Sequence, residues 1–93
     1  MKVDFDEQKR QATLLDRGLD FADAPLVFIS SRRITWPDTR KDYGESREIT
    51  MGDLAGRLVI IVHTTRGDAT RIISMRKANE REQRWFEEQF CEG

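Results

Sequence analysis

The chain has little of what would classify it at a glance. A single cysteine, Cys91, excludes an internal disulfide and fits a reducing compartment. Two prolines and six glycines exclude collagen-like and low-complexity classes. The longest apolar run, Leu58 to Val62, is far too short to cross a membrane. The amino end, Met1-Lys2-Val3-Asp4-Phe5, lacks an apolar signal core, so the expected location is the cytoplasm. Neither charge sign dominates: 16 basic against 17 acidic residues leave −1, and attraction to a polyanion has to come from a local patch. No Cys, His, Asp or Glu pair has metal-ligand spacing, so neither a metal nor another cofactor is expected.

What is present is a charged, apolar-interleaved chain of 93 residues, 35% charged and 38% hydrophobic. That is the size of one domain, read here as residues 1–93, which buries only ~60–65% of its unfolded surface. Arginine outnumbers lysine by 12 to 4. Its planar fork suits phosphate or carboxylate, and the plain alternative is a salt-bridged surface.

Periodicity predicts the elements. Lys2 to Asp6 alternates as a short strand, and Asp6 caps a helix with Ala12 and Leu15 on its apolar side and Gly18 as its stop. Asp20 caps a second, short helix carrying Phe21, Ala24, Val27 and Phe28, with Pro25 tolerated near its first turn. Strands follow over Arg32 to Trp36, Ser46 to Met51, Arg57 to Thr64 and Ala69 to Arg76. Gly52 to Gly56 and Arg66-Gly67-Asp68 read as turns, and Asp38 to Glu45 as a polar loop. Asn79 with Glu82 is a capping-box pattern that opens a last helix, with Trp85, Phe86 and Phe90 as its buried stripe. The fold class is α+β: an antiparallel sheet of four to five strands, with two N-terminal helices and one C-terminal helix packed on one face.

These segments carry a familiar series of words: Phe5-Asp6 and Lys9, then Gly18-Leu19-Asp20-Phe21, Ala24 and Val27-Phe28. Glu45-x-Arg47 and Gly52 follow, and the most specific block is Arg71-Ile72-Ile73-Ser74-Met75-Arg76-Lys77-Ala78 with Glu82 beyond it. In order and spacing the chain resembles the BrnT family, toxins of type II toxin–antitoxin pairs. The resemblance implies a RelE-like fold and metal-independent endoribonuclease activity that slows translation. It also implies a BrnA-like ribbon-helix-helix antitoxin as partner, with operator DNA contacted only through the complex and a heterotetramer as one assembly open to the pair. Two departures stand out. The family usually reads Lys-His-Gly where this chain has Asp16-Arg17-Gly18, and an aromatic that is often Tyr stands here as Phe86.

Metal-free RNA cleavage needs a base for the 2′-OH, an acid for the leaving 5′-oxygen, and cations for the phosphorane. Arg71, Arg76 and Arg47 are the candidate cations, and Glu82 is the candidate base provided its pKa is raised; its plain role is the helix cap. Arg71 and Arg76 lie five apart and point to opposite faces of an ideal strand, so they share a site only if the strand bulges near Ser74 or ends before Arg76. Arg17, Lys9 and Lys77 are candidate RNA contacts. Arg17 stays protonated and cannot act as a base, and its alternative is to bind carbonyls at a helix end. His63 is a minority acid–base candidate whose plain reading is the end of a core strand. Cys91 reads as an exposed thiol with no adjacent His. Trp36 and Tyr43 flank the polar loop and are candidates to stack on bases, or else to plug the core or meet a partner. The rival to the enzyme reading is a module that keeps the toxin fold and antitoxin contact but cleaves poorly.

Overall fold

A computed structural model describes residues 1–90; the Cys91 thiol lies outside them. The elements are β1 (Val3–Asp4), α1 (Glu7–Arg17), a 3₁₀ turn (Phe21–Asp23) that runs into α2 (Ala24–Phe28), β2 (Arg33–Pro37), β3 (Glu48–Leu54), β4 (Arg57–Arg66), β5 (Ala69–Lys77) and α3 (Glu80–Gln89). The five strands form one sheet in the order β1-β5-β4-β3-β2. Neighbours pair antiparallel, except that β1 adds to β5 in parallel through Val3 and Asp4. The expected α+β class is therefore present, with a mixed rather than purely antiparallel sheet. No helix among the described residues is long and apolar enough to cross a membrane.

The helix ends follow the local chemistry. Asp6 accepts hydrogen bonds from Gln8 N (2.9 Å) and Lys9 N (3.1 Å), and Gly18 ends α1 with φ +69°. Asp20 accepts from Ala22 N (2.9 Å), and Asn79 with Glu82 forms the complete capping box of α3.

The helices lie on both faces of the sheet, not on one. β4 is the reason, because its apolar residues alternate. Val59 and Ile61 pack with Phe21, Ala24, Val27, Ile72 and Met75 on what we call the α2 face. Ile60 and Val62 pack with Ile49, Met51, Ala78 and Phe86 on the α3 face. A continuous apolar run needs cover on each side.

Three other expectations are corrected. Leu15 is 91% exposed, and α1 has no buried residue. The helix is held by polar contacts instead: Arg10 donates to Asp20 at 2.8 and 3.1 Å and to Glu7 at 2.6 Å. Of the α3 stripe only Phe86 is buried; Trp85 meets Trp36 edge-on at 5.8 Å, and Phe90 lies under the Arg32 guanidinium at 5.3 Å. Gly52 is not in a turn but inside β3, where a Cβ would come within 3.0 Å of Val27 Cγ1 and 3.2 Å of Arg33 Cβ. Glycine there lets α2 lie close on the sheet. The turn shrinks to Ala55-Gly56, both at positive φ, as a two-residue hairpin requires.

His63 sits on the α2 face, 6% exposed, with Phe28 edge-on to its ring at 4.9 Å. Its Nε2 bonds Thr50 Oγ1 at 2.7 Å, and Thr50 Oγ1 bonds Thr35 Oγ1 at 2.8 Å. Burial pushes its pKa below the usual imidazole value, with Glu48 opposing the shift weakly. The histidine is a satisfied core residue remote from the α3 face, which removes it as an acid or base there. A base held neutral in the fold takes up protons more readily when unfolded, so stability is full above the ordinary His range and falls as pH drops below it. Urea midpoints between about pH 7.5 and 5.5 are expected to show that fall, and His63→Gln to flatten it. An equal slope in both proteins rejects the assignment.

Candidate functional site

β5 breaks its register opposite Val62 and His63. Ser74 faces Val62 and Ile72 faces His63, so Ile73 is the extra residue of a bulge. The insertion reverses the alternation beyond it. Arg71 lies opposite Thr64 and Arg76 opposite Ile60, and both project from the α3 face. Their partners are four residues apart on β4, which is about 13 Å along the strand. The two arginines share a face without sharing a phosphate.

α3 covers only part of that face. Beside its first turn lies a cavity of about 300 Å³ walled by Trp36, Arg40, Ile49, Ile60, Val62, Ser74, Arg76 and Glu82. Arg76 spans one side, with its Nη1 and Nη2 each donating to the Glu82 carboxylate at 2.8 Å. Glu82 also accepts from Asn79 N at 2.9 Å as part of the cap. The Arg76 guanidinium, then the cap N–H, hold the Glu82 carboxyl below its usual range, and Glu82 in turn raises Arg76. The sequence reading needed Glu82 raised. The fork lowers it instead, because its two nearest polar neighbours both favour the anion.

The other candidates have their own partners. Arg71 Nη1 donates to Asp4 at 2.8 Å, tying β1 to β5 and lowering the Asp4 pKa. Arg47 donates to Glu45 at 3.0 Å, and its guanidinium lies 3.9 Å from the Tyr43 ring centre, so one face of that ring is already occupied. Arg17 Nη1 donates to Met75 O at 2.8 Å, a bond to the β5 backbone and not to the end of its own helix. Lys9 is exposed on α1. Lys77 ends β5 in the alternation of Met75, toward the α2 face. The structure thus places Arg47, Arg71, Arg76 and Glu82 on or beside the α3 face, and leaves Arg17, Lys9 and Lys77 away from the cavity. Among the described residues no three metal-ligating side chains gather into a site.

One cavity residue escaped sequence reasoning. Arg40 sits in the polar loop, and its Nε and Nη2 donate to Asp38 at 2.8 and 2.9 Å. The Asp38 side chain is fully buried. Arg40 holds its carboxyl down to about 2. Asp38 N also donates to Arg47 O at 2.8 Å, anchoring the loop beside β3. The signal available was Asp-x-Arg directly after Pro37, which reads as an ordinary exposed pair until the burial of Asp38 is known.

The cavity thus brings together a serine, one indole and two guanidiniums, each guanidinium held by a carboxylate. No curated protein matches the chain. A family model does, over residues 5–82, from Phe5 to the Glu82 carboxylate that grips Arg76. That model describes the ribonuclease toxin BrnT of type II toxin–antitoxin systems. Its span takes in β2 to β5, α1, α2 and the start of α3, and with them every wall of the cavity. The chain belongs to the BrnT family of ribonuclease toxins, whose systems pair such a toxin with an antitoxin.

Proposed function

We propose that the protein is a metal-independent endoribonuclease that cuts RNA on the α3 face, slows translation in the cytoplasm, and is neutralised by a BrnA-like ribbon-helix-helix antitoxin. DNA is then contacted only through the antitoxin complex, with a heterotetramer as its simplest symmetric form. The observation that carries the activity is the Arg76–Glu82 fork at the mouth of the uncovered cavity, with Arg40 lining the same walls.

In such a site the 2′-oxygen forms a bond to phosphorus as its proton passes to Glu82 or to water, charge collects on the phosphorane oxygens, and the P–O5′ bond breaks as the 5′-oxygen takes a proton from solvent. Arg76 stabilises the phosphorane, since guanidinium donors fixed before the reaction need no reorganisation. Glu82, kept ionised by its partners, is a weak base; its larger effect is to fix the plane of Arg76. Arg71 and Arg47, both near the Thr64 end of the face, hold a neighbouring phosphate, and Arg17, Lys9 and Lys77 meet the RNA only where it passes round the sheet to the α2 side. The binding-module reading keeps one observation in its favour. Arg47, Arg71 and Arg76 each already hold a carboxylate, which RNA must displace or share.

Purified protein on a structured RNA, with excess EDTA and over a range of pH, decides between them. Cleavage that persists in EDTA and leaves 2′,3′-cyclic phosphate ends is expected. Activity abolished by EDTA rejects the metal-free mechanism. No cleavage under any condition moves the protein to the binding-module reading.

A further inference from the structure

The cavity has a neighbour. Between β2, β3 and α3 runs an apolar groove of about 680 Å³ lined by Ile34, Trp36, Met51, Arg81, Glu82 and Trp85. Trp36 and Glu82 also line the cavity that holds Arg40 and Arg76. An indole therefore separates a two-guanidinium hollow from an apolar one. Trp36 and Trp85 both line this groove and stand nearly perpendicular to each other, at 72°.

The cationic side is built in advance. Buried Asp38 fixes Arg40 through two side-chain bonds and accepts a third from Arg40 N at 3.2 Å. That fork engages Nε and Nη2, leaving Nη1 outside it. Arg40 and Arg76 wall the same hollow of about 300 Å³, so their charges face one space. Two like charges held together by separate carboxylates favour an anion between them. Ser74, on the bulge, lines the same hollow.

We propose that the two hollows form one nucleotide subsite: Arg40 and Arg76 hold an RNA phosphate, and the adjoining nucleobase lies against Trp36 in the groove. This rests on the ribonuclease reading and deepens it, because it makes the groove the part of the site that selects the base beside the bound phosphate. A nucleobase suits the groove in two ways. Its flat face matches the indole, and Arg81 and Glu82 at the rim offer a donor and an acceptor to its edge. An apolar segment of a protein partner would fill the groove but would leave the adjoining pair of guanidiniums unused. In this scheme Arg40 touches the phosphate, and Asp38 is a positioning residue that acts through it.

Trp36 and Trp85 are the chain's two tryptophans, so intrinsic fluorescence reports on the groove directly. The probes are a dinucleoside monophosphate made uncleavable by a 2′-deoxyribose, inorganic phosphate, and the free nucleosides. The dinucleotide is expected to quench fluorescence and to bind ~10-fold or more tighter than phosphate or either nucleoside. Trp36→Ala should remove most of that gain and leave phosphate affinity within about twofold, while Trp36→Phe keeps a stacking face and most of the gain. Arg40→Ala should weaken phosphate and dinucleotide by a similar factor, on the order of 10-fold. Asp38→Asn should weaken both by less and leave nucleoside binding unchanged.

A dinucleotide that binds the wild-type protein no tighter than phosphate, while that same protein cuts RNA, overturns the proposal and leaves the ribonuclease reading standing. Phosphate affinity unmoved by Arg40→Ala overturns it as well. Quenching by a co-expressed antitoxin but by none of the nucleotide probes overturns it and assigns the groove to the partner. Dinucleotide binding by a wild-type protein that cuts no RNA supports the subsite and counts against the ribonuclease reading instead.

Discussion

Arg76→Lys is expected to slow RNA cleavage by ~10²–10³-fold, as the loss of one fixed donor pair at a developing oxyanion does elsewhere. An ammonium keeps the charge but offers no planar pair of donors, so charge alone should not rescue the rate. In the wild-type protein Arg76 is held by both Glu82 oxygens at 2.8 Å, and that grip is what makes it rigid. The pair is partly exposed, so its loss should change stability by no more than ~1 kcal/mol. Activity and stability are therefore expected to separate in this variant. Glu82→Gln separates cap from catalysis by the same logic: Gln still completes a capping box, yet it cannot hold Arg76 as an ion pair. A fall in kcat with an unchanged melting temperature favours the catalytic role. Full activity in Arg76→Lys rejects the arginine site altogether.

Arg71→Lys makes the contrast. Arg71 lies about 13 Å along β5 from Arg76 and is bonded to Asp4. Its replacement is expected to weaken RNA binding more than the chemical step, and KM against kcat separates the two.

Much of this arrangement was legible in the residues, for reasons that are local. Asp6, Asp20 and Asn79 cap as short polar side chains ahead of apolar periods do, and Leu58 to Val62 forms a central strand because nothing else buries five apolar residues in a row. That same run also held what the sequence reading missed. Apolar residues on both faces of a strand demand layers on both sides, so the placing of all helices on one face conflicted with β4 itself. Leu15 misled for another reason. At Gly18 the backbone turns left-handed and carries Leu19 into the core away from the helical stripe, leaving Leu15 outside. The site was harder to read than the fold. Whether Arg71 and Arg76 share a face depends on one inserted residue, Ile73, and a bulge has no fixed residue signature. Arg40 depends on the burial of Asp38, which lies in the packing of a loop and not in its composition.

α3 supplies Glu82 and Arg81 to this face, so the site depends on how firmly the helix is docked. Its ten residues are too few to be stable alone in water, and their only fully buried anchor is Phe86. Around that ring stand Met51, Ile60 and Ala78, with Arg32 at 5.3 Å from its centre and bonded to Glu87 at 2.6 Å. Phe86→Ala should cost ~3–5 kcal/mol, a large part of the 5–15 kcal/mol that holds a domain of this size together. The melting temperature is expected to fall by roughly 10 °C or more. Phe86→Leu, which keeps most of the apolar volume, should lose much less. The variants also report on the site. Where α3 loosens before the sheet unfolds, Trp85 fluorescence should shift below the main transition, and cleavage should fall with that shift rather than with the loss of strand signal. If Phe86→Ala melts within about 2 °C of wild type, α3 is held by its polar contacts, and Arg32→Ala becomes the variant that should release it.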